Sequence, residues 1–286
     1  MLELLRPSSV EEASALLGED TRPLAGGTEL VPLVREGIVR AERLVALRGL
    51  VPRGVSGTTI GAATTLAELE RDDQIPEALR EACRLAASPQ LRAMSTLGGN
   101  LLQATRCWYW RLRFPCFLHG GDECHAREGE HREHAILGNE RCASAHPSDP
   151  AAALLALGAT LRTTQRELPV AELFRLPTED DRSTTTLAPD ELILELDVPP
   201  ADSSTYLKAM DRKAFAFALV GVAAVRRGAD VRVALAGVAP VPWLLGADGL
   251  GGATPLPGTA YKVELAEALV ARARTAVGAP DSHRPG

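Results

Sequence analysis

The sequence predicts an α+β protein in two parts, on three observations. Short apolar strands, glycine turns and capped helices alternate through the first half. A polar, proline-flanked connection, "PTEDDRSTTTLAPDE", follows near residue 177. Beyond it lie alternating strands and one amphipathic helix. The expected units are residues 1–172 and 178–278, with a tail over 279–286.

In chain order, "SSVEEASALL" reads as a capped helix, because Ser8 and Ser9 each have a glutamate three residues on. "TRPLAGGTELVPLVREG" suggests strand, glycine turn and helix, and "RLVAL" a further strand. "TTIGAATTLAELERDDQIPEALREACRLAA" reads as a strand and two helices. Thr65 and Glu68 form a capping box, and Pro76 opens the second helix. "DPAAALLALGA" is a helix with a glycine near its end; Asp149 before proline is the residue type that caps such helices. "ELILELDVP" alternates like a half-buried strand. "FALVGVAAVRRGADVRVALAGVAP" reads as two strands joined by "RRGAD", and "GTAYKVELAEALVARARTAV" as the final helix.

With 286 residues, 45% hydrophobic and 24% charged, the chain has the composition of a globular protein with a sizeable core. A net charge of -6 and the lack of a basic stripe argue against nucleic acid as a partner. No apolar run approaches the ~20 residues of a membrane span. The start lacks a secretory pattern, and five cysteines make a disulfide framework improbable. A cytoplasmic location with reduced thiols is expected.

Two glycine turns stand out. "LAGGTEL" (Leu24, Ala25, Gly26, Gly27, Thr28, Glu29, Leu30) lies between a strand and a helix, and "STLGGN" (Ser95–Asn100) repeats the theme some seventy residues on. Paired glycines let backbone N–H groups converge on an anion such as a pyrophosphate. Neither turn is a Walker loop or a Rossmann fingerprint, and two unrelated tight turns would look the same.

The order of "LAGGTEL", "TTIGAATTLAELE", "STLGGNLL", "HPSDPAAALLALGA", "YLKAMDRKAFAFALVGVAA" and "GVAPVPW" resembles the FAD-binding medium subunit of the molybdenum hydroxylases, the xanthine dehydrogenase and carbon monoxide dehydrogenase flavoproteins. The resemblance implies an FAD-binding domain of the vanillyl-alcohol-oxidase type, followed by a smaller α+β domain. It implies that Leu24 to Leu30, chiefly Ala25 to Glu29, line one side of the FAD pyrophosphate. Thr96, Gly98, Gly99 and Asn100 would line the other. Asp149 would contact the sugar-like part of the cofactor, and Lys208 would lie near the flavin ring. Met94 and Ser95 stand where family members commonly have valine and glycine, so an altered turn is expected. The implied partners are a large subunit with the molybdenum cofactor and a small subunit with two [2Fe–2S] clusters. Ferredoxin or NAD would serve as outer electron partner.

One stretch departs from most of that family. Residues 106–142 hold four of the five cysteines, four of the six histidines and two of the three tryptophans. The spacing Cys107-x8-Cys116-x7-Cys124-x17-Cys142 lacks the Cys-x2-Cys of a zinc ribbon. Four thiolates suit a [4Fe–4S] cluster or a tetrahedral zinc, and histidines could contribute to the latter; the plain alternative is a surface loop with free thiols. The resemblance extends to the 4-hydroxybenzoyl-CoA reductase-like members, which carry an additional [4Fe–4S] loop here beginning "TRC". It implies that Cys107, Cys116, Cys124 and Cys142 are the ligands, with His134 or His146 as substitutes for Cys142. Cys83 reads as a core residue, and Trp108, Tyr109 and Trp110 as a shield or a docking surface. The competing readings are a stand-alone FAD oxidase and a zinc-stabilised interaction module.

Overall fold

The structure is a computed structural model that describes residues 2–278; the expected tail lies outside them. Three strands begin the chain: β1 (Glu3–Leu5), β2 (Thr21–Leu24) and β3 (Arg43–Ala46). They form a parallel sheet in the order β1-β3-β2. Parallel neighbours require crossovers, and helices α1 (Val10–Ala15) and α2 (Leu30–Arg35) provide them. Ser9 caps α1 by accepting from the Glu12 N–H, while the Glu12 carboxylate accepts from the Ser8 N–H at 2.7 Å.

The second sheet contains β4 (Val55–Ser56), β5 (Thr59–Gly61), β6 (Thr160–Thr163), β7 (Glu167–Pro169) and β8 (Ile193–Asp197). Its order is β4-β5-β8-β6-β7, antiparallel throughout. Between β5 and β6 run α3 (Leu66–Leu69), α4 (Glu77–Leu85), α5 (Pro89–Arg92), α6 (Leu97–Leu101), α7 (Trp108–Arg111) and α8 (Asp149–Leu157). The capping box of Thr65 and Glu68 forms in full at α3, and Pro76 is the cap residue of α4. The short α9 (Val170–Leu173) follows β7.

The third sheet, β12-β11-β10-β9, is an antiparallel meander of β9 (Ser203–Ala209), β10 (Val220–Arg227), β11 (Asp230–Ala236) and β12 (Trp243–Leu244). The last helix, α10 (Tyr261–Ala276), packs on β10 and β9. Every residue of α8 is buried, as expected for a helix that is apolar all round. It lies between α4 and the β10–β11 hairpin, so the core is continuous across both units.

The expected division between residues 172 and 178 falls before β8. Strand β8 pairs with β5 on one side and β6 on the other, closing the second sheet. Its burial on that sheet outweighs the linker-like composition before it, and the third sheet starts only at Ser203. Among the described residues, no helix is long and apolar enough to cross a membrane.

Candidate flavin site and cysteine pocket

The two glycine turns meet. Thr28 Oγ1 and Ser95 Oγ are hydrogen-bonded at 2.9 Å, so the serine that departs from the family pattern ties the turns together. A Cβ on Gly26 would lie 1.8 Å from the Met94 carbonyl oxygen. Only glycine permits this approach of backbone to backbone. Gly27 has φ +72°, the left-handed region that glycine enters without cost. Thr96 caps α6 by accepting from the Gly99 N–H at 3.2 Å. Gly98 sits against Ala62, its N–H donating to the Ala62 carbonyl at 2.9 Å.

Together the turns wall a cavity of about 660 Å3. Ala25, Gly26, Gly27, Thr28, Glu29 and Leu30 line one side; Thr96, Gly98, Gly99 and Asn100 line another. Among the described residues, the N–H groups of Gly26, Gly27 and Thr28 donate to no backbone carbonyl. A pair of Cβ-free turns presenting free backbone donors fits the pyrophosphate of a dinucleotide. The sequence reading missed Glu191, Leu192 and Ile193, which complete the lining from the start of β8.

Three expected residues are not in the lining. Leu24 ends β2 behind the turn. Asp149 is not the cap of α8, because Ser148 is, accepting from the Ala151 N–H at 3.1 Å. The Asp149 carboxylate instead accepts from Tyr206 Oη at 2.5 Å and Lys208 Nζ at 2.7 Å. The side chains of Lys208 and Asp149 are 0% and 3% exposed, so this is a buried ion pair joining α8 to β9. Lys208 also donates to the Leu85 carbonyl at 3.0 Å. The pair reaches the cavity only indirectly: Ser148 donates to Asn100 Oδ1 at 2.6 Å.

The loop that follows α6 brings four cysteines into one pocket. Cys107, Cys116, Cys124 and Cys142 line it together with Tyr109, Trp110, Phe117 and His125. Cys116 and Cys142 are buried. The Cys124 sulfur accepts from the Ala143 N–H, and Cys142 donates to Ser144 Oγ at 3.2 Å. The neighbouring Cys142 holds the Cys124 thiol low, while Cys124 and burial push Cys142 up. Burial raises Cys107 to about 11.

Of the two histidine substitutes, His134 lies 3.2 Å from Cys107 Sγ, not beside Cys142. His146 lies outside this pocket, edge-on to Phe174. Burial lowers both imidazoles to about 4. Among the described residues, no three His, Cys, Asp or Glu side chains converge as a single metal ion requires. This finding supports neither the zinc alternative nor the cluster. The potential donors that line the pocket are four thiols, with aromatic rings in the wall. The space among these residues is about 10 Å3. Cys83 is fully buried in α4, as expected of a core residue.

Long-range contacts fix the loop. Lys262 on α10, fully buried, donates to the carbonyls of Glu133, His134 and Gly237 at 2.8–2.9 Å. Arg182 donates to those of Phe117 and Gly121 and stacks over the Phe117 ring. At the loop's start, Glu29 of the glycine turn accepts from Arg111 at 2.6 Å and Arg106 at 2.7 Å.

Residues 1–201 match the family model of the FAD binding domain in molybdopterin dehydrogenase. The chain belongs to this family. The flavoprotein is 37% identical over 239 residues to the aldehyde oxidoreductase FAD-binding subunit PaoB of Escherichia coli, covering 77% of this chain and 75% of that one. It is 44% identical over 106 residues to the carbon monoxide dehydrogenase medium chain of Afipia carboxidovorans, 33% of this chain and 37% of that one. A solved carbon monoxide dehydrogenase from Oligotropha carboxidovorans superposes with a TM-score of 0.68 at 24% identity, over 97% of both chains, which speaks to fold.

Proposed function

We propose that this flavoprotein is the electron-transfer subunit of a molybdenum hydroxylase-type complex, holding FAD between its glycine turns and a [4Fe–4S] cluster on Cys107, Cys116, Cys124 and Cys142. When bound, FAD connects two-electron to one-electron chemistry. Gly26, Gly27 and Thr28 would receive its pyrophosphate, with Thr96 and Gly99 shaping the opposite turn. The observation that carries the cluster reading is that four cysteines, distant in sequence, line one pocket beside the glycine-walled cavity. The "TRC" start (Thr105 to Cys107) and "HPSD" after Cys142 support the likeness to the 4-hydroxybenzoyl-CoA reductase-like members. The helices and sheets around the cavity support the vanillyl-alcohol-oxidase-type reading. In such a complex a molybdenum subunit transforms substrate and a [2Fe–2S] subunit relays electrons to the flavin. The cluster would extend that relay toward a protein partner such as ferredoxin, with NAD as the alternative outer partner.

The test is anaerobic purification of the full chain, with an absorption spectrum and analysis of iron, sulfide and zinc. Flavin with about four irons and four sulfides per chain is expected for one cluster, and Cys116→Ser should remove sulfide while flavin remains. Stoichiometric zinc without sulfide would refute the cluster, and a chain that takes up no flavin would refute the subunit assignment.

A further inference from the structure

The flavin cavity and the cysteine pocket share a wall. Trp110, on α7, lines both. Its ring stacks on His119 with centroids 5.2 Å apart and planes 7° apart, and the Trp110 carbonyl lies 2.8 Å from His119 Nε2. The same short helix is tied to the glycine turn. Arg106 precedes Cys107 and Arg111 ends α7, and both guanidinium groups grip the Glu29 carboxylate. Arg111 also donates to the Thr105 carbonyl at 2.9 Å. Cys107 is therefore held between two arginines that answer to the flavin side of the molecule. Any group seated among the four cysteines lies against this segment, since Cys107 and Trp110 both line the pocket.

We propose that Glu29, Arg106, Arg111 and Trp110 form a coupling element, through which occupancy of the cysteine pocket and occupancy of the flavin cavity strengthen each other. This rests on the reading that the chain holds both FAD and a cluster. The sign follows from ordering. The loop over residues 106–142 contains little regular structure beyond α7 and one turn of 3-10 helix, so its backbone is fixed chiefly by side chains. A group bound on either side holds α7 and the Glu29 node, already formed without it, against local opening, so the second meets a steadier wall. Binding linkage is reciprocal, so FAD must tighten cluster retention by the same factor that the cluster tightens FAD. These four are positioning residues in this coupling; Glu29 holds the arginines, and Trp110 is the shared packing surface.

The experiment uses the full chain stripped of flavin and iron. FAD affinity is measured by calorimetry before and after anaerobic reconstitution with iron and sulfide, and amide hydrogen exchange of 106–111 is followed in parallel. FAD should bind on the order of 5–10-fold more tightly to the reconstituted chain, with slower exchange across α7. In Arg106→Gln and in Arg111→Gln, which line neither site, the two affinities should converge although both groups still bind. Equal FAD affinity in the two wild-type forms, with flavin and sulfide both taken up, would overturn the coupling and leave the proposed function intact. Failure to take up sulfide or flavin would remove the reading beneath it, and the coupling with it.

Discussion

The glycine-walled cavity and the cysteine pocket lie side by side, yet they are built by opposite means. The cavity is shaped by backbone: two turns approach so closely that a single Cβ on Gly26 would strike the Met94 carbonyl. The pocket is shaped by side chains on an irregular loop, pinned from a distance by Lys262 and Arg182. A backbone site is written locally, because glycine is needed where φ is positive or where chains touch. A side-chain site on a loop depends on where the rest of the fold places its anchors.

That contrast can be broken at several points. Asp149→Ala should have the largest effect, since it strands the Lys208 ammonium between α8 and β9, behind both sites. Breaking a buried pair from one side costs about 3–5 kcal/mol, which urea unfolding would read. A loss under 1 kcal/mol would mean that water reaches Lys208.

Acid should loosen the end of the cysteine loop through His146. Burial holds its folded pKa at about 4, below the unfolded value of 6.5. The unfolded chain thus binds the extra proton between those limits. Stability is full above pH 6.5 and falls as pH drops toward 4, by roughly 3 kcal/mol. His146→Gln should flatten this acid limb in unfolding measurements at pH 7, 5.5 and 4.5. Parallel limbs in variant and wild type would assign the loss elsewhere.

Gly26→Ala sharpens the comparison from the cavity side. The turn must yield to the new methyl group, at about 1–3 kcal/mol, so FAD binding should weaken roughly 10- to 100-fold. Thiol titration of the cysteine pocket should be unchanged, and loss of both properties together would blur the distinction. The smallest effect is expected from Thr65→Ala, which removes the capping box at α3 and lowers stability by about 1 kcal/mol. A thermal melt would show it, with flavin content retained.

What the sequence made legible follows the same division. The caps at Ser9 and Thr65, the left-handed Gly158 ending α8, and both glycine turns are short-range signals, and each stands where its chemistry requires. Asp149 and Lys208 were legible as unusual residues but not as partners. Their meeting depends on how β9 lies against α4 and α8, which no spacing reports. The Arg106–Glu29–Arg111 node joins residues nearly eighty positions apart, and its members look like ordinary charged residues in the sequence. The pairing of strand β8 is of the same long-range kind: a polar linker precedes it, and its partners lie in a sheet begun much earlier.

The return of β8 has a consequence for how the protein is made. The ribosome releases β5 long before β8, and until residues 193–197 emerge, β5 and β6 have no strand between them. Glu191, Leu192 and Ile193 also close the flavin cavity. During synthesis the nascent chain therefore carries both glycine turns and all five cysteines in an unfinished half-sheet. Cofactor capture must wait for a stretch of polypeptide that contains no glycine turn and no cysteine.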